Sequence, residues 1–458
     1  MSEVSEERGS VLLAVLAILS ILAVTITGVL MFGGWQRKQG ILYLEEVRVR
    51  SLAESGIHQA MAELAENPRT RCRDQRVVFD SANQISYSIR PWGAYLQVKS
   101  TGIGRRLTRT LTAVVGVLPP TIFDHVLTPI GSPYPLVVSG RTRIRGSVFV
   151  GPGGITRGEI NGRGHLQEEL VEGRIDTLDY ADVPRFNDSN LMEFLDSLLE
   201  NKRSTAATDL SLTIEGKPDF VGILEGTERA FRTRADIEFH IQDSSICDSE
   251  RYFFADRKIR VLGTSHLSNL ILSAEEIIVS QEARLVNCII VADRIRLTDA
   301  STFSGQAIVK DTMIVEDAAT VEQPSLILLR GRSFDERIVG EIEISSRGKL
   351  QATVVSGLPT RAIRNETAPE FACRLRISKM AQLRGLIWWE GLVEIEGAFA
   401  GAAAVNLFSH YVQPTTYMNW LVDADIRFFD AAAMTAFPIV FANPDQPKLC
   451  IMNESRVP

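Results

Sequence analysis

The sequence predicts a mainly β protein hung from one long N-terminal transmembrane helix. A small antiparallel meander follows the helix, then a β-solenoid (β-helix) with an inserted α+β segment. Three observations carry this. Gly9–Trp35 contains no charged residue. Residues 77–117 carry short apolar strand patterns separated by turn signals. Residues 251–322 divide without a gap into four 18-residue units beginning at Arg251, Asn269, Asn287 and Gly305.

Val11–Trp35 is 25 residues, about 38 Å of helix at ~1.5 Å per residue, and a bilayer core of ~30 Å needs ~20 apolar residues. Val11, Leu12 and Leu13 open this membrane helix and Trp35 closes it. A cleaved secretory signal and a buried core helix are the competing readings. A signal calls for a basic start, an apolar run of ~7–15 residues and a small-residue cleavage site. Here the start, MSEVSEER, is acidic, the run is longer, and Phe32-Gly33-Gly34-Trp35 is a poor site. A retained membrane span is therefore expected, with everything after it as cargo.

The helical pattern then continues. Leu42, Val49, Ala53, Gly56, Ala60 and Leu64 recur at three-, four- and seven-residue steps, one apolar stripe on a helix. Asn67-Pro68 ends it, because the residue before proline avoids helical backbone. One helix is expected from Ser10 to Glu66, with Gly33-Gly34 as the place for a bend. Strands are expected at Val77–Phe79, Ile85–Arg90, Ala94–Ser100 and Leu107–Val117, broken by turns at Pro91-Trp92-Gly93 and Thr101-Gly102-Ile103-Gly104. Pro119-Pro120 marks the boundary. The expected domains are thus 1–35 (leader and membrane helix), 36–118 (amphipathic continuation and meander), 119–408 (solenoid) and 409–458 (a C-terminal cap).

ERGSVLLAVLAILSILAVTITG, LAESGIHQAMAEL and YLQVKSTGIGRRLTRTLTAVV resemble the PilX-type minor pilins and the K-type pseudopilins of type II secretion, over roughly the first quarter of the chain. The resemblance implies cleavage by a prepilin peptidase between Gly9 and Ser10, packing of the apolar helix in a pilus-like filament, and as partners other pilin-like subunits or the pilus and secretion assembly machinery. It implies an inner-membrane, single-pass anchor with the large domain periplasmic or extracellular. Two departures stand out: the leader is acidic, and Ala14 occupies the position where major pilins carry Glu. The second fits a tip or initiating subunit, or equally an anchor that is never cleaved.

In the repeat, three apolar positions recur at fixed offsets: Ile259/Val261/Leu267, Ile277/Val279/Leu285, Ile295/Leu297/Phe303 and Met313/Val315/Val321. The same offsets return at Leu136/Val138/Ile144, Ile342/Ile344/Leu350 and Leu375/Ile377/Leu383. A short apolar strand precedes each of the four triplets: Phe253-Phe254, Ile271-Leu272, Ile289-Ile290-Val291 and Ile308-Val309. Period-two strands point alternate residues inward, and a fixed repeat stacks like on like, so these positions form the core columns of a solenoid. A β-sandwich is the competing architecture. The pattern resembles bactofilin-type right-handed β-helices, which implies a right-handed solenoid. Residues 157–245 break the offsets and are expected as an insertion: a helix over Leu191–Leu199 capped by Asp188-Ser189, then two strands within Asp209–Ile223 around Gly216-Lys217-Pro218. The tail 409–458, with Tyr411, Tyr417, Trp420, Phe428, Phe429, Phe437 and Phe441, is expected to cap the open solenoid edge.

Charge narrows the function classes. Thirteen Lys/Arg against seven Asp/Glu between Arg37 and Leu118 give that segment +6, leaving −13 elsewhere in a chain of net charge −7. An acidic body argues against nucleic acid as a partner. The basic residues after the span (Arg37, Lys38, Arg48, Arg50) outnumber those before it (Arg8), which biases the large domain toward the cytoplasm. That bias keeps a membrane-tethered, bactofilin-like scaffold as the alternative to the pilin-like reading. The five cysteines form no C-x-x-C, the six histidines are dispersed, and no H-E-x-x-H, G-x-S-x-G or phosphate-loop motif occurs. Gly151-Pro-Gly-Gly154 reads as a corner and Asp423-Ala-Asp425 as a turn. The columns Asp256/Ala274/Ala292/Lys310 and Arg257/Glu275/Asp293/Asp311 offer no carboxylate row. No catalytic, cofactor-binding or metal-ligating residue is nominated. The chain is expected to be a non-enzymatic envelope protein, with a carbohydrate-active β-helix, or binding of surface polysaccharide, as a further alternative.

Overall fold

The computed structural model describes residues 4–67, 70–80, 83–130, 134–160, 162–177, 189–215, 230–240, 251–334, 337–356, 373–429, 437–438 and 449–457. The protein is mainly β, with one long N-terminal apolar helix. That helix, α1 (Val4–Glu66), runs 63 residues without interruption through Gly33-Gly34. Its apolar part contains hydroxyl side chains, and the helix itself satisfies them. Ser20, Thr25 and Thr27 each donate to the carbonyl four residues back, at 2.7–2.8 Å. Such bonds let a polar side chain sit in apolar surroundings.

The second half of α1 buries Val49, Ala53, Ile57, Ala60 and Leu64. It packs on an antiparallel meander of β1 (Cys72–Asp80), β2 (Asn83–Trp92), β3 (Tyr95–Ile103) and β4 (Thr108–Val117). Residues 101–103, expected as a turn, extend β3, and the Gly104 amide closes the turn onto the Leu107 carbonyl at 2.9 Å. Helix and sheet approach closely because both carry glycine at the crossing. A Cβ on Gly102 would strike the Val49 carbonyl and the Ala53 amide, and one on Gly56 would strike Ser100 and Ile85. The sheet has a fifth strand, Leu449–Val457, antiparallel to β4 from Leu449↔Val117 to Val457↔Thr110. Phe437 also exchanges backbone hydrogen bonds with Val117 at 2.8 and 2.9 Å. The end of the tail therefore completes the meander, where a cap on the open edge of the repeat was expected. Phe441 lies outside the described residues.

The repeat forms one array of strands whose pairings are mainly parallel. Ile237, Ile259, Ile277, Ile295, Met313, Ile342, Leu375, Val393 and Phe408 pair in succession, and all are buried. Two residues along each strand a companion column runs beside this first one: Phe239, Val261, Val279, Leu297, Val315, Ile344, Ile377 and Ile395, also buried throughout. The offset of two thus has its physical cause in the pleat, which turns alternate residues to the same interior. Leu267, Leu285, Phe303, Val321, Leu350, Leu383, Phe399, Ile426 and Ile144 form a second buried column. A third column pairs twelve residues without a gap: Phe231, Phe253, Leu272, Ile290, Ala307, Ile327, Val354, Ile387, Ala403, Leu127, Val148 and Ile175. At ~4.8 Å per level this stack is about 50 Å long.

The middle strands of the third column, such as 270–272, 289–291 and Leu326–Leu329, read as continuous apolar runs because both faces are mostly buried. Their inner residues join the interior core. Their outer residues, among them Phe254, Ile271, Ile289, Ile308, Leu326, Leu328, Leu386 and Trp388, form a second core with the meander and α2 (Ser189–Ser204). The corners are tight two-residue turns with positive φ at both positions: Gln281/Glu282, Asp299/Ala300 and Asp317/Ala318, between +50° and +66°.

The expected insertion at 157–245 proves to contain coils of the same stack. Ala207-Thr208, Leu212–Glu215, Ala230–Thr233 and Ile237–His240 pair in parallel beneath the strand Arg251–Ala255 and its successors. Ile155–Arg157 pairs with Leu136–Ser139, and Ile175–Thr177 with Val148–Val150. The spacing hides this, since Ile237 meets Ile259 after 22 residues instead of 18. Among the described residues of the segment, α2 is what departs from the stack; its N-cap residue Asp188 and residues 216–223 of the expected strand pair lie outside the described residues. Chain order and stacking order also differ. Asp425–Arg427 pairs with Ala398–Val412 on one side and Arg143–Arg145 on the other, and Trp420–Val422 with Leu136–Ser139. The first coils of the body, 127–177, thus stack against its last, and 420–427 lies inside the stack.

Candidate functional site: a bare apolar half-helix and what surrounds it

The most exposed apolar surface among the described residues is the first half of α1. From Leu13 to Trp35 every side chain is exposed, with Leu13 at 71%, Val24 at 73% and Met31 at 72%. Phe32 and Trp35 stack at 6.2 Å near its end, and Arg37 and Lys38 follow at once. A helix that is apolar all round belongs in a core or a bilayer, and none of the other described residues covers this one. Among the described residues it is the one helix long and apolar enough to cross a membrane. Gly9 and Ser10 lie inside α1, so the bond between them has helical backbone. The side chains of Val11 and Leu12 lie outside the described residues.

The nominated column residues are all in the interior and offer no chemistry to solvent. Ile259, Ile277, Ile295 and Met313 face inward in the first column, Val261, Val279, Leu297 and Val315 in its companion, and Leu267, Leu285, Phe303 and Val321 in the second. Their role is to hold the coils together, which leaves any surface function to the outer rows. Several charged side chains on those rows are paired. Asp256 contacts Lys202 at 2.9 Å and Arg232 at 3.6 Å, and the Lys202 hydrogen bond holds its carboxyl below the usual range. Lys258 does the same for Glu276 at 2.7 Å. Glu275 meets Arg294 at 3.0 Å and Asp293 meets Lys310 at 3.7 Å. Asp423 accepts from the Arg141 amide at 2.7 Å, while Asp425 faces Arg145 at 3.3 Å, so these two do not act as a pair. Gly151–Gly154 closes a turn through the Gly154 amide and Gly151 carbonyl at 3.0 Å.

Two features escaped the sequence. Glu390 is buried, its Oε1 accepts from the Trp388 indole at 3.3 Å, and burial pushes its carboxyl up to about 7. Glu394, Glu396 and His410 gather with one ligand atom each within 4.8 Å of the others. Their signal is a spacing of about one coil, since Gln382 pairs with Ala398 and Val393 with Phe408. It becomes readable only when that coil's length is known.

No family model and no curated protein matches the chain. Among solved structures it is similar to the crystal structure of the competence-associated pilin ComZ from Thermus thermophilus, at 10% identity, over 90% of this chain and 97% of that one, with a TM-score of 0.24. A score that low does not equate the two folds.

Proposed function

We propose that this protein is a non-enzymatic structural protein of the cell envelope, a PilX-like minor pilin or pseudopilin that displays a β-solenoid for assembly, adhesion or partner binding. One observation carries the reading: α1 is bare and apolar over Leu13–Trp35 yet buried against a β-meander over Val49–Leu64. The first part suits a bilayer or the core of a filament of pilin-like subunits. The second part ties that anchor rigidly to the folded domains, because the helix does not break between them. The parallel stack, read as a right-handed solenoid, then offers a stiff surface on the periplasmic or outer side.

The basic residues Arg37, Lys38, Arg48 and Arg50 favour a second reading, a membrane-tethered bactofilin-like scaffold facing the cytoplasm. Topology reporters fused after Leu118 separate the two. Periplasmic signal is expected, and cytoplasmic signal overturns the pilin-like reading. A deletion strain with normal piliation, adhesion and secretion overturns it as well.

A further inference from the structure

We propose that Glu394, Glu396 and His410 form a binding site for a divalent transition-metal ion of the zinc class, independent of the reading above. The strand Gln382–Ile395 carries Glu394, and Glu396 follows its end. The next strand, Ala398–Val412, stays in parallel register up to Val393↔Phe408. It then leaves the stack and pairs antiparallel with Thr415–Met418, from Ser409↔Met418 to Val412↔Thr415. His410 sits at that departure point, over the two glutamates of the coil below. Its Nδ1 is 3.9 Å from Glu394 Oε1 and 4.0 Å from Glu396 Oε1.

The setting suits an ion. The three side chains are only 6%, 16% and 13% exposed. The Tyr411 amide donates to Glu394 Oε1 at 3.1 Å, which fixes that carboxylate on the hairpin. Arg376 approaches the other oxygen, Oε2, at 3.5 Å, and also faces Glu343 at 3.9 Å. One shared guanidinium beside these carboxylates leaves a net negative charge in a mostly buried place, and such charge is costly unless paired. Zinc binds imidazole nitrogen and carboxylate oxygen at ~2.0–2.2 Å, which places tetrahedral ligand atoms about 3.4 Å apart. The two spacings to His410 need to contract by about half an ångström to match, and the Glu394–Glu396 spacing lies within 4.8 Å. An imidazole with two carboxylates favours zinc-class ions over magnesium or calcium, which prefer all-oxygen sites. The ion would pin the hairpin whose strand ends carry Tyr411 and Tyr417 to the body of the stack.

The test uses the full chain in detergent, stripped with chelator and then titrated with zinc chloride. Metal content, the visible spectrum of the cobalt(II)-substituted protein and the thermal midpoint are the readouts. One zinc per chain, tetrahedral-type cobalt bands and a raised midpoint are expected. Glu396→Gln and His410→Ala should each weaken binding by more than the ~100-fold that loss of an outer-shell partner can cost. His266→Ala, elsewhere on the stack, should leave it unchanged. If His410→Ala does not fold, Glu396→Gln decides. Absence of saturable zinc binding overturns the proposal, as does wild-type affinity in Glu396→Gln.

Discussion

Replacing Gln306 with leucine should loosen the meander from the stack. Gln306 stands between Ile289 and Leu326 in the outer apolar row and is 3% exposed. Its Nε2 donates to the Trp92 carbonyl at 2.9 Å, and its Oε1 accepts from the Ala94 amide at 2.9 Å. The turn between β2 and β3, with Gly93 at φ +63°, is therefore held by one side chain from the body. In Gln306→Leu both backbone groups lose their partner, and a buried orphan costs ~1–3 kcal/mol. Two such orphans cost ~2–6 kcal/mol and leucine's own burial returns about 2 kcal/mol, so a net loss of about 0–4 kcal/mol, centred near 2, is expected. At 1.4 kcal/mol per decade, hydrogen exchange at Ala94 and Tyr95 should accelerate by roughly thirtyfold at the centre of that range, and by several hundredfold at its top, in the full chain. Exchange in the inner columns should change much less. If amides at the turn keep wild-type protection, the two hydrogen bonds do not hold the interface and the argument fails.

Three further outcomes follow from packing and charge. Glu390 has a folded-state pKa raised to about 7 from 4.5; its folded form therefore holds the proton more tightly, so its stabilising contribution is full below the unfolded pKa and is lost as pH rises through 7. Glu390→Gln should flatten that slope and stabilise the protein above pH 7 by up to about 3 kcal/mol, as read from denaturant midpoints across pH. Gly102→Ala should cost about 1–3 kcal/mol by forcing α1 off the sheet, seen as a lower thermal midpoint with the stack's own exchange protection retained. Ile295→Ala, at a fully packed level of the first column, should cost ~2–5 kcal/mol, measurable as a shifted urea midpoint.

The repeat at 251–322 was legible because its 18-residue spacing matches the observed register, as in Ile259↔Ile277↔Ile295↔Met313 and, two residues on, Val261↔Val279↔Leu297↔Val315. Where a coil is longer, as between Ile237 and Ile259 or between Met313 and Ile342, the offset of two survives but the unit length does not. Such coils are recognisable only by local pairs such as Ile342/Ile344. The pairing of Ala403 with Leu127 left no local trace, because contact across that much chain leaves no periodicity to read. Two-sided burial was visible in runs such as Ile289-Ile290-Val291, but not what covers their outer face. The half-helix was legible throughout, since composition alone sets it apart. Gln306 was not, because one polar residue in an apolar row looks like noise until its partners are in place.

The fifth strand of the small sheet has a consequence for biosynthesis. Val117 must wait for Leu449, 332 residues later, before β4 gains its neighbour. At ~5–20 residues per second of translation, the nascent chain carries that half-finished edge for tens of seconds, while α1 has long since emerged from the ribosome. A message broken anywhere before the codon for Leu449 yields a polypeptide whose gap never closes, so the earliest-made sheet is also the last to become whole.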